Sequence, residues 1–331
     1  MLKMQGKVMG LVCASLMIAT SVAAQQADPR DTEASYFAPS NTLSANLYLR
    51  MISGMDNPRQ GYSQILGLMR GTYLLKFGNL AISPVDFFLP FVDATVFSEG
   101  STPLHLSGLA DLRYLPTVTY HLTQDAATNT HSWFALTTYF TLPTGQYDPD
   151  EFANLGENRF AIQPVLTVGQ RLWRRFTIEG FAGFAWYDVN SDSRAVVPLS
   201  AEQLGVVEGR RTQQVGFNGG VHTALDLSPT ATLGVSYLFE DNRQQRIRGD
   251  LLGVVPTRVS AITQQDSWVN MVRFTLALAL TPQTAVRLQW SEDLSTTGGR
   301  ERSRYLGIRM THAMFLSGVP GAGVTAQPAG R

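Results

Sequence analysis

The sequence is poor in cysteine, and its one cysteine, Cys13, lies in a segment that we expect to be removed. Residues 8–19 form a short apolar run that follows Lys3 and Lys7 and precedes small residues ending at Ala24. This order of basic, apolar and small residues is typical of a secretory signal peptide, with cleavage predicted near Ala24. The mature chain would then have no thiol, which excludes disulfide bonds and thiolate metal ligands.

Long apolar segments are missing as well. The apolar run of the leader is too short to cross a bilayer as a helix, which takes about 20 residues. No run of that length follows it in the sequence. The sequence therefore excludes a helical membrane protein and leaves β-structure, either in a membrane or in solution.

Neither sign of charge is in excess. The whole chain has 26 basic and 26 acidic residues, so its formal net charge is zero, and loss of Lys3 and Lys7 with the leader makes it −2. A chain with this balance has no positive field to attract nucleic acid. We therefore exclude a nucleic-acid partner.

What the sequence does contain is a period-two alternation of apolar and polar residues. Between 272 and 280, Phe274 and Leu276 share one parity, whereas Arg273 and Thr275 share the other. This pattern predicts β-strands with one apolar face. If the strands cross a membrane, the apolar parity faces lipid, because an arginine facing mid-bilayer would cost about 2–4 kcal/mol.

About twelve such runs occur, and their connections alternate between short and long. The strands are predicted near 43–52, 63–75, 84–95, 106–122, 131–142, 159–170, 175–188, 212–227, 231–240, 267–280, 284–293 and 302–315. The long connections are 143–158, 189–211, 241–266 and 294–301, each after an odd-numbered strand. Short turns on one rim and long loops on the other are typical of bacterial outer-membrane barrels. We predict an all-β fold, a transmembrane antiparallel up-and-down β-barrel of about 12 strands.

The domain organisation follows from these boundaries. We expect a signal peptide at 1–24, a periplasmic lead-in at 25–40, the transmembrane barrel at 41–315 and a disordered tail at 316–331, which is rich in Gly, Ala and Pro. Trp133 and Trp173 are predicted for the periplasmic rim, and Trp186, Trp268 and Trp290 for the external rim. Aromatic residues at both rims would form the girdles of such a barrel.

Polar and charged residues of the inward parity are candidates for a permeation path. A mixed set of this kind first of all fills the interior with a hydrogen-bonded network, and it can also select solutes by size and field. The predicted lumen residues are Arg50, Asp111, Arg113, Arg159, Gln163, Glu179, Asn218, His222, Asp226, Arg273, Arg287 and Gln289.

Catalytic and metal-binding patterns are weak. None of the five histidines stands in HExxH or in a paired metal-ligand spacing, and no GxSxG motif occurs. His131 and Ser132 are adjacent, but neighbouring residues of a strand point to opposite faces. Asp148 and Asp150 could suggest calcium, but a solvated acidic loop is the simpler interpretation because the spacing departs from an EF-hand. We predict no enzyme activity, no cofactor and no metal.

The block Leu142 to Pro164, LPTGQYDPDEFANLGENRFAIQP, resembles the family labelled putative MetA-pathway of phenol degradation. Looser matches are FFLPF at 87–91, GLADL at 108–112 and the hairpin at 280–293. The resemblance implies a Gram-negative outer-membrane barrel associated with the uptake of aromatic compounds. We expect the block to be an external gate or constriction, not an active site, with these key positions: Pro143, Gly145, Tyr147, Asp148, Asn154, Gly156 and Asn158.

We therefore predict an outer-membrane channel for passive uptake of small molecules, aromatic or hydrophobic. Its expected partners are outer-membrane lipid, the solute and the barrel-assembly machinery. Three alternatives stay open at this point: a structural barrel, a lipid-modifying outer-membrane enzyme, and a secreted soluble β-protein.

Overall fold

The computed structural model describes residues 42–54, 60–98, 103–125, 128, 130–151, 154–172, 175–198, 204–252, 258–298 and 302–315. The predicted signal peptide, lead-in and C-terminal tail lie outside these residues, as does Trp173. Within them, no helix is long and apolar enough to cross a membrane.

The described residues form eighteen β-strands. In chain order they are β1 (Thr42–Gly54), β2 (Gln60–Phe77), β3 (Leu80–Ser98), β4 (Leu104–Leu109), β5 (Leu112–Tyr114), β6 (Thr117–Asp125), β7 (Thr130–Leu142), β8 (Ala161–Leu172), β9 (Phe176–Tyr187), β10 (Asn190–Pro198), β11 (Leu204–Gln213), β12 (Gly216–Ser228), β13 (Ala231–Asn242), β14 (Gln245–Leu251), β15 (Arg258–Gln264), β16 (Ser267–Ala279), β17 (Thr284–Thr296) and β18 (Ser303–Phe315).

Fourteen of these strands form one closed antiparallel sheet. β1 pairs with β2 on one side and with β18 on the other, so the sheet has no free edge there. Because β4, β5 and β6 follow one another as a single interrupted strand beside β3 and β7, the barrel has twelve strand positions. The prediction of a twelve-stranded barrel is confirmed.

Side chains alternate between the two faces of the wall. In β1, Leu47, Leu49 and Met51 are exposed on the outside, whereas Tyr48 and Arg50 are buried inside. In β16, Phe274 is 42% exposed and the neighbouring Arg273 is 3% exposed. An apolar outer face with a polar interior is the arrangement that a lipid-spanning barrel requires.

The fourth strand position is interrupted, although the sequence predicts one run over 106–122. Gly108 has φ +150° just before the first break, and Pro116 lies at the second break, where it has no N–H to give to the ladder. Ala110 and Leu115 are buried at the breaks, and their N–H groups donate to Pro90 and Asp86 carbonyls at 3.0 and 2.7 Å. At both breaks these N–H groups therefore still bond to β3 and are not orphaned.

The long connections 189–211 and 241–266, predicted as loops, are instead mostly β-structure. They form two hairpins, β10–β11 and β14–β15, which pair with each other through β11 and β14. One face buries a small apolar cluster made of Val207, Ile247 and Leu251, with Ala195, Val259 and Ala261 against it. Glycines and arginines in these segments obscure the alternation in the sequence, and the shared core forms only when the two hairpins meet.

The predicted aromatic girdle is wrong at Trp133. Its side chain is fully buried inside the barrel and stacks on His131, with ring centroids 4.9 Å apart. Gly169 on β8 leaves the space, since a Cβ there would lie 2.1 Å from the indole. Trp186, Trp268 and Trp290 face outward, but Trp290 lies in mid-strand rather than at the rim.

Candidate functional site

The segment between β7 and β8, described at 143–151 and 154–160, folds against the interrupted strand at the long-loop end of the barrel; we call it the mouth segment. Two of its N–H groups, those of Gly145 and Glu157, donate to the two carboxylate oxygens of Asp111, each at 2.8 Å. Asp111 is 7% exposed, and hydrogen bonds to a buried carboxylate are stronger than those between neutral groups. Asp111, predicted as a lumen residue, therefore anchors the mouth segment to the wall.

Gly145 and Gly156 are required by close backbone contact. A Cβ on Gly145 would lie 2.8 Å from the backbone of Ala110, Asp111 and Gly156, and one on Gly156 would lie 2.9 Å from Gly145. Distances below 3.0 Å to backbone atoms force the chain apart. Asn158 has φ +50°, a left-handed conformation that asparagine tolerates better than most residues. These features explain why the predicted gate contains small residues and an asparagine.

The outer part of the mouth segment is a local turn held by Asn154. Its side chain accepts from the Asp148 N–H at 2.7 Å and donates to the Asp148 carbonyl at 2.9 Å. The Asp148 carboxylate accepts from the Asp150 N–H at 2.8 Å. Across the described ranges, no group of three His, Cys, Asp or Glu is arranged to hold a metal ion. The acidic residues serve the turn.

Strand β10 covers the mouth segment from outside. Tyr147 donates its hydroxyl to the Asp192 carbonyl, and Asn190 donates to the Glu157 carbonyl at 2.8 Å. Arg194 pairs with Asp150 at 2.7 Å. The four-stranded sheet of β10, β11, β14 and β15, which we call the external sheet, thus holds the predicted gate from one side, while Asp111 holds it from the other. Pro143 lies at its start, exposed, just after β7 ends.

A charged group closes the end of the mouth segment. Arg159 is 3% exposed; its guanidinium pairs with Glu157, donates to Gln213 Oε1 at 2.5 Å and lies 4.6 Å from the centre of the Tyr187 ring. Burial alone would raise the pKa of Glu157. The guanidiniums of Arg159 and Arg211 lower it by a larger amount, so the pKa ends below its ordinary value. Glu157 therefore carries its charge through the neutral and mildly acidic range.

Beneath the mouth segment lies a cavity of about 70 Å³. Five of the predicted lumen residues line it, together with Leu155, Glu157, Tyr187, Glu240 and Asp241 among others. Those five are Asp111, Arg113, Arg159, Gln163 and Asn218. The structure thus brings this part of the predicted set together in one place.

The remaining predicted residues also face inward but form separate groups. Arg50 and Arg273 both lie near the Tyr305 ring, with guanidinium-to-ring distances of 5.1 and 5.5 Å. Gln289 is buried on β17, and Arg287 is half-buried two residues before it.

Strands β9 and β12 contribute three more predicted residues. His222 is paired in register with Glu179, and its Nδ1 lies 2.5 Å from Ser236 Oγ. Asp226 forms an ion pair with Arg171. These groups lie outside the cavity.

Sequence reasoning missed the pair Arg70–Asp86, which bridges β2 and β3. Arg70 donates Nε and Nη2 to the two carboxylate oxygens at 2.7 and 2.5 Å, and Asp86 is 1% exposed. The parity of β2 conceals Arg70, because apolar Leu66 and Leu68 share its inward face. Arg309 was also missed, although it shares parity with Tyr305 and its neighbours Ile308 and Met310 face outward. The alternation of residues in β18 therefore already indicated that Arg309 faces inward.

Part of the interior is an apolar cluster, and we call its portion on the first three strands the apolar strip. It runs along the first three strands and is made of Tyr48, Ile52, Leu66, Leu68, Phe88 and Val92, all buried. Tyr48 and Phe88 meet edge to face with ring centroids 5.9 Å apart. The inward face of these three strands therefore carries apolar and charged side chains together, since Arg50, Arg70 and Asp86 are buried on the same strands.

A family model described as "Putative MetA-pathway of phenol degradation" matches residues 29–254, more than half of the chain. The structure is similar to the COG4313 outer membrane channel from Pseudomonas putida F1, with a TM-score of 0.66 and 20% identity over 87% of this chain and 100% of that one. At this level of identity the likeness establishes the fold, that of an outer-membrane barrel.

Weaker likenesses extend to other outer-membrane barrels. The translocator domain of the autotransporter NalP from Neisseria meningitidis has a TM-score of 0.38 and 12% identity, covering 90% of this chain and 98% of its own. A mutant of the monoaromatic hydrocarbon channel TodX has a TM-score of 0.45 and 9% identity, covering 85% of this chain and 91% of its own. Both overlap too weakly for their functions to bear on this chain. No curated protein sequence matches it.

Proposed function

This chain belongs to the family described as Putative MetA-pathway of phenol degradation, and we propose that it is a Gram-negative outer-membrane channel for small hydrophobic and aromatic molecules. Passage is passive and involves no catalytic step and no cofactor. The barrel would reach the membrane after cleavage near Ala24, and it would be inserted by the barrel-assembly machinery. The barrel fold and the apolar outer face support this location.

The observation that carries the proposal is the apolar strip inside the barrel. Interiors of water-filled barrels are polar. Here Leu66 and Leu68 are fully buried on the inward face of β2, and Phe88 faces inward on β3. An apolar solute that leaves water gains about 25 cal/mol for each Å² of apolar surface that it buries. These side chains pack against one another in this structure, and we propose that they part to give such a solute an apolar surface, which a purely charged interior would not.

The mouth segment would then control access. Its anchors at Asp111 below and at β10 above hold it across the long-loop end, over the cavity. A route through the barrel requires that the segment yield or that solutes pass beside it. We propose that it is the gate, as its position between β7 and β8 allows, and that the interior arginines keep the polar wall ordered.

The test is uptake by whole cells, because hydrophobic solutes cross a simple phospholipid vesicle without help. Gram-negative cells with reduced porin content would express the barrel, and initial uptake of ring-labelled toluene would be measured. We expect faster uptake than in cells with an empty vector. Equal uptake in both, with the barrel shown folded in the outer membrane by heat-modifiable gel migration, would refute the channel. A mature chain that stays soluble without detergent would refute the membrane location.

A further inference from the structure

The cavity beneath the mouth segment contains polar atoms that lack hydrogen-bond partners among the described residues. Asn218 is 4% exposed and lines this cavity, and both its Nδ2 and its Oδ1 are unpartnered. Nη1 of Arg159, another lining residue, is unpartnered too, although the other nitrogens of that guanidinium are bonded. Buried amides in folded proteins are nearly always hydrogen-bonded, so one with both ends open indicates a missing partner.

The wall next to Asn218 leaves room for its amide. Asn218 lies on β12 between Gly183 of β9 and Glu240 of β13. A Cβ on Gly183 would lie 2.9 Å from Asn218 Oδ1 and 2.6 Å from the Pro164 carbonyl. A larger residue at 183 would therefore push the amide away from its place. The glycine keeps the open amide at the cavity.

The charges around the cavity select against an anion. Four carboxylates line it, those of Asp111, Glu157, Glu240 and Asp241, against the two guanidiniums of Arg113 and Arg159. The partner must also both donate to Oδ1 and accept from Nδ2. A neutral hydroxyl group meets both conditions, because it is one donor and an acceptor.

The size of the cavity limits how much of a solute it holds. Its volume is about 70 Å³, whereas a dry cavity that takes up benzene measures about 150 Å³. The cavity therefore admits the hydroxyl end of a ligand, and an aromatic ring would stay at its edge. Water alone would also fit, and the experiment must separate the two.

We propose that Asn218 and Arg159 form a recognition site for the hydroxyl group of neutral alcohols and phenols. The hydroxyl donates to Asn218 Oδ1 and accepts from Asn218 Nδ2 or Arg159 Nη1. This inference rests on the proposed function, since it names the class of solute that the mouth retains. Through hydrogen bonds, the site would make the channel selective for a hydroxyl group, whereas the apolar strip would favour any hydrophobic solute.

The test compares phenol with toluene, which has the same number of non-hydrogen atoms, and with benzoate. Binding to the purified barrel in detergent is measured by calorimetry against a detergent blank, for the native chain, Asn218→Leu and Asn270→Leu. Asn270→Leu is the matched control, because it is the same substitution on the outward face of β16, away from the cavity. Loss of two hydrogen bonds should weaken phenol binding about tenfold in Asn218→Leu. Toluene binding should stay the same.

The results separate this site from the channel itself. A preference for phenol over toluene that disappears in Asn218→Leu and persists in Asn270→Leu supports the site. A preference that survives in Asn218→Leu, or no preference in the native chain, overturns it, and the cavity then holds water only. Stronger binding of benzoate than of phenol overturns it as well. If the site is overturned but cells still take up toluene through the barrel, the proposed channel function is unaffected. If the barrel passes no solute at all, the proposed function is itself refuted.

Discussion

Replacing Asp111 by asparagine should loosen the mouth segment without unfolding the barrel. The native carboxylate accepts N–H groups of Gly145 and Glu157, each at 2.8 Å. The asparagine amide has one acceptor oxygen, and its N–H₂ group faces the second backbone donor. One of the two hydrogen bonds is therefore lost, and the other is no longer made to a charged group. Hydrogen bonds to charged groups contribute about 1.5–3 kcal/mol each. We expect local opening to become easier by about 2 kcal/mol, which is roughly a 30-fold change.

Amide hydrogen exchange of peptides covering 143–160 measures this opening directly. The matched control is Asp150→Asn, the same change in the same segment. Asp150 pairs with Arg194 at the surface, where its side chain is 70% exposed, and such pairs contribute about 0–1 kcal/mol. If Asp111→Asn and Asp150→Asn exchange at the native rate, or at rates equal to each other, Asp111 is not the anchor.

Three further changes test other parts of the structure. Gly145→Ala should cost about 1–3 kcal/mol, because its Cβ would meet backbone at 2.8 Å; faster exchange of the mouth segment checks this, and unchanged exchange contradicts it. Arg70→Leu should destabilise the barrel by about 3–5 kcal/mol, because it leaves the buried Asp86 carboxylate without its cation. A double variant that removes both charges should lose less stability, and urea unfolding in vesicles compares the two variants. The pKa of Glu157 is lowered, so its pairing with Arg159 is stabilising above the ordinary value of 4.5 and is lost as pH falls through the lower folded value. The protection of the mouth segment, which is its exchange corrected for the pH dependence of the intrinsic rate, should therefore stay constant from pH 7 to about pH 5 and fall only below the ordinary value; a loss of protection near pH 6 would refute this.

The barrel could be predicted because a lipid-facing wall imposes a strict two-residue period. Residues such as Phe274 and Arg273 must face opposite sides, and short turns must alternate with long connections. The interruption between β4 and β6 could not be predicted, since Gly108 and Pro116 are compatible with a continuous edge or a bend. What fixes the bend is the partner of each freed N–H, and this is a long-range property.

The candidate site shows the same division. Parity placed Arg159 and Asn218 on the inward face, but it could not say that they share a cavity, because Arg159 lies in the mouth segment and Asn218 lies on β12, and the fold of the mouth segment decides whether they meet. Asp111 was assigned to the interior, whereas its partners lie 34 and 46 residues away in the mouth segment. The external sheet escaped prediction for a related reason. Its core requires two hairpins that are separated by two barrel strands.

The claim that solutes pass through the interior is tested most directly by blocking it chemically. The described residues contain no cysteine, so a single introduced thiol would be labelled uniquely there. Gln163→Cys points into the cavity and Ile162→Cys points away from it, one residue apart on β8. Both would be labelled to completion with N-ethylmaleimide, as checked by mass, before toluene uptake by cells is measured. We predict that labelling at 163 lowers uptake to the level of the empty vector while labelling at 162 leaves it unchanged; equal uptake by the two labelled barrels would contradict a route through the interior.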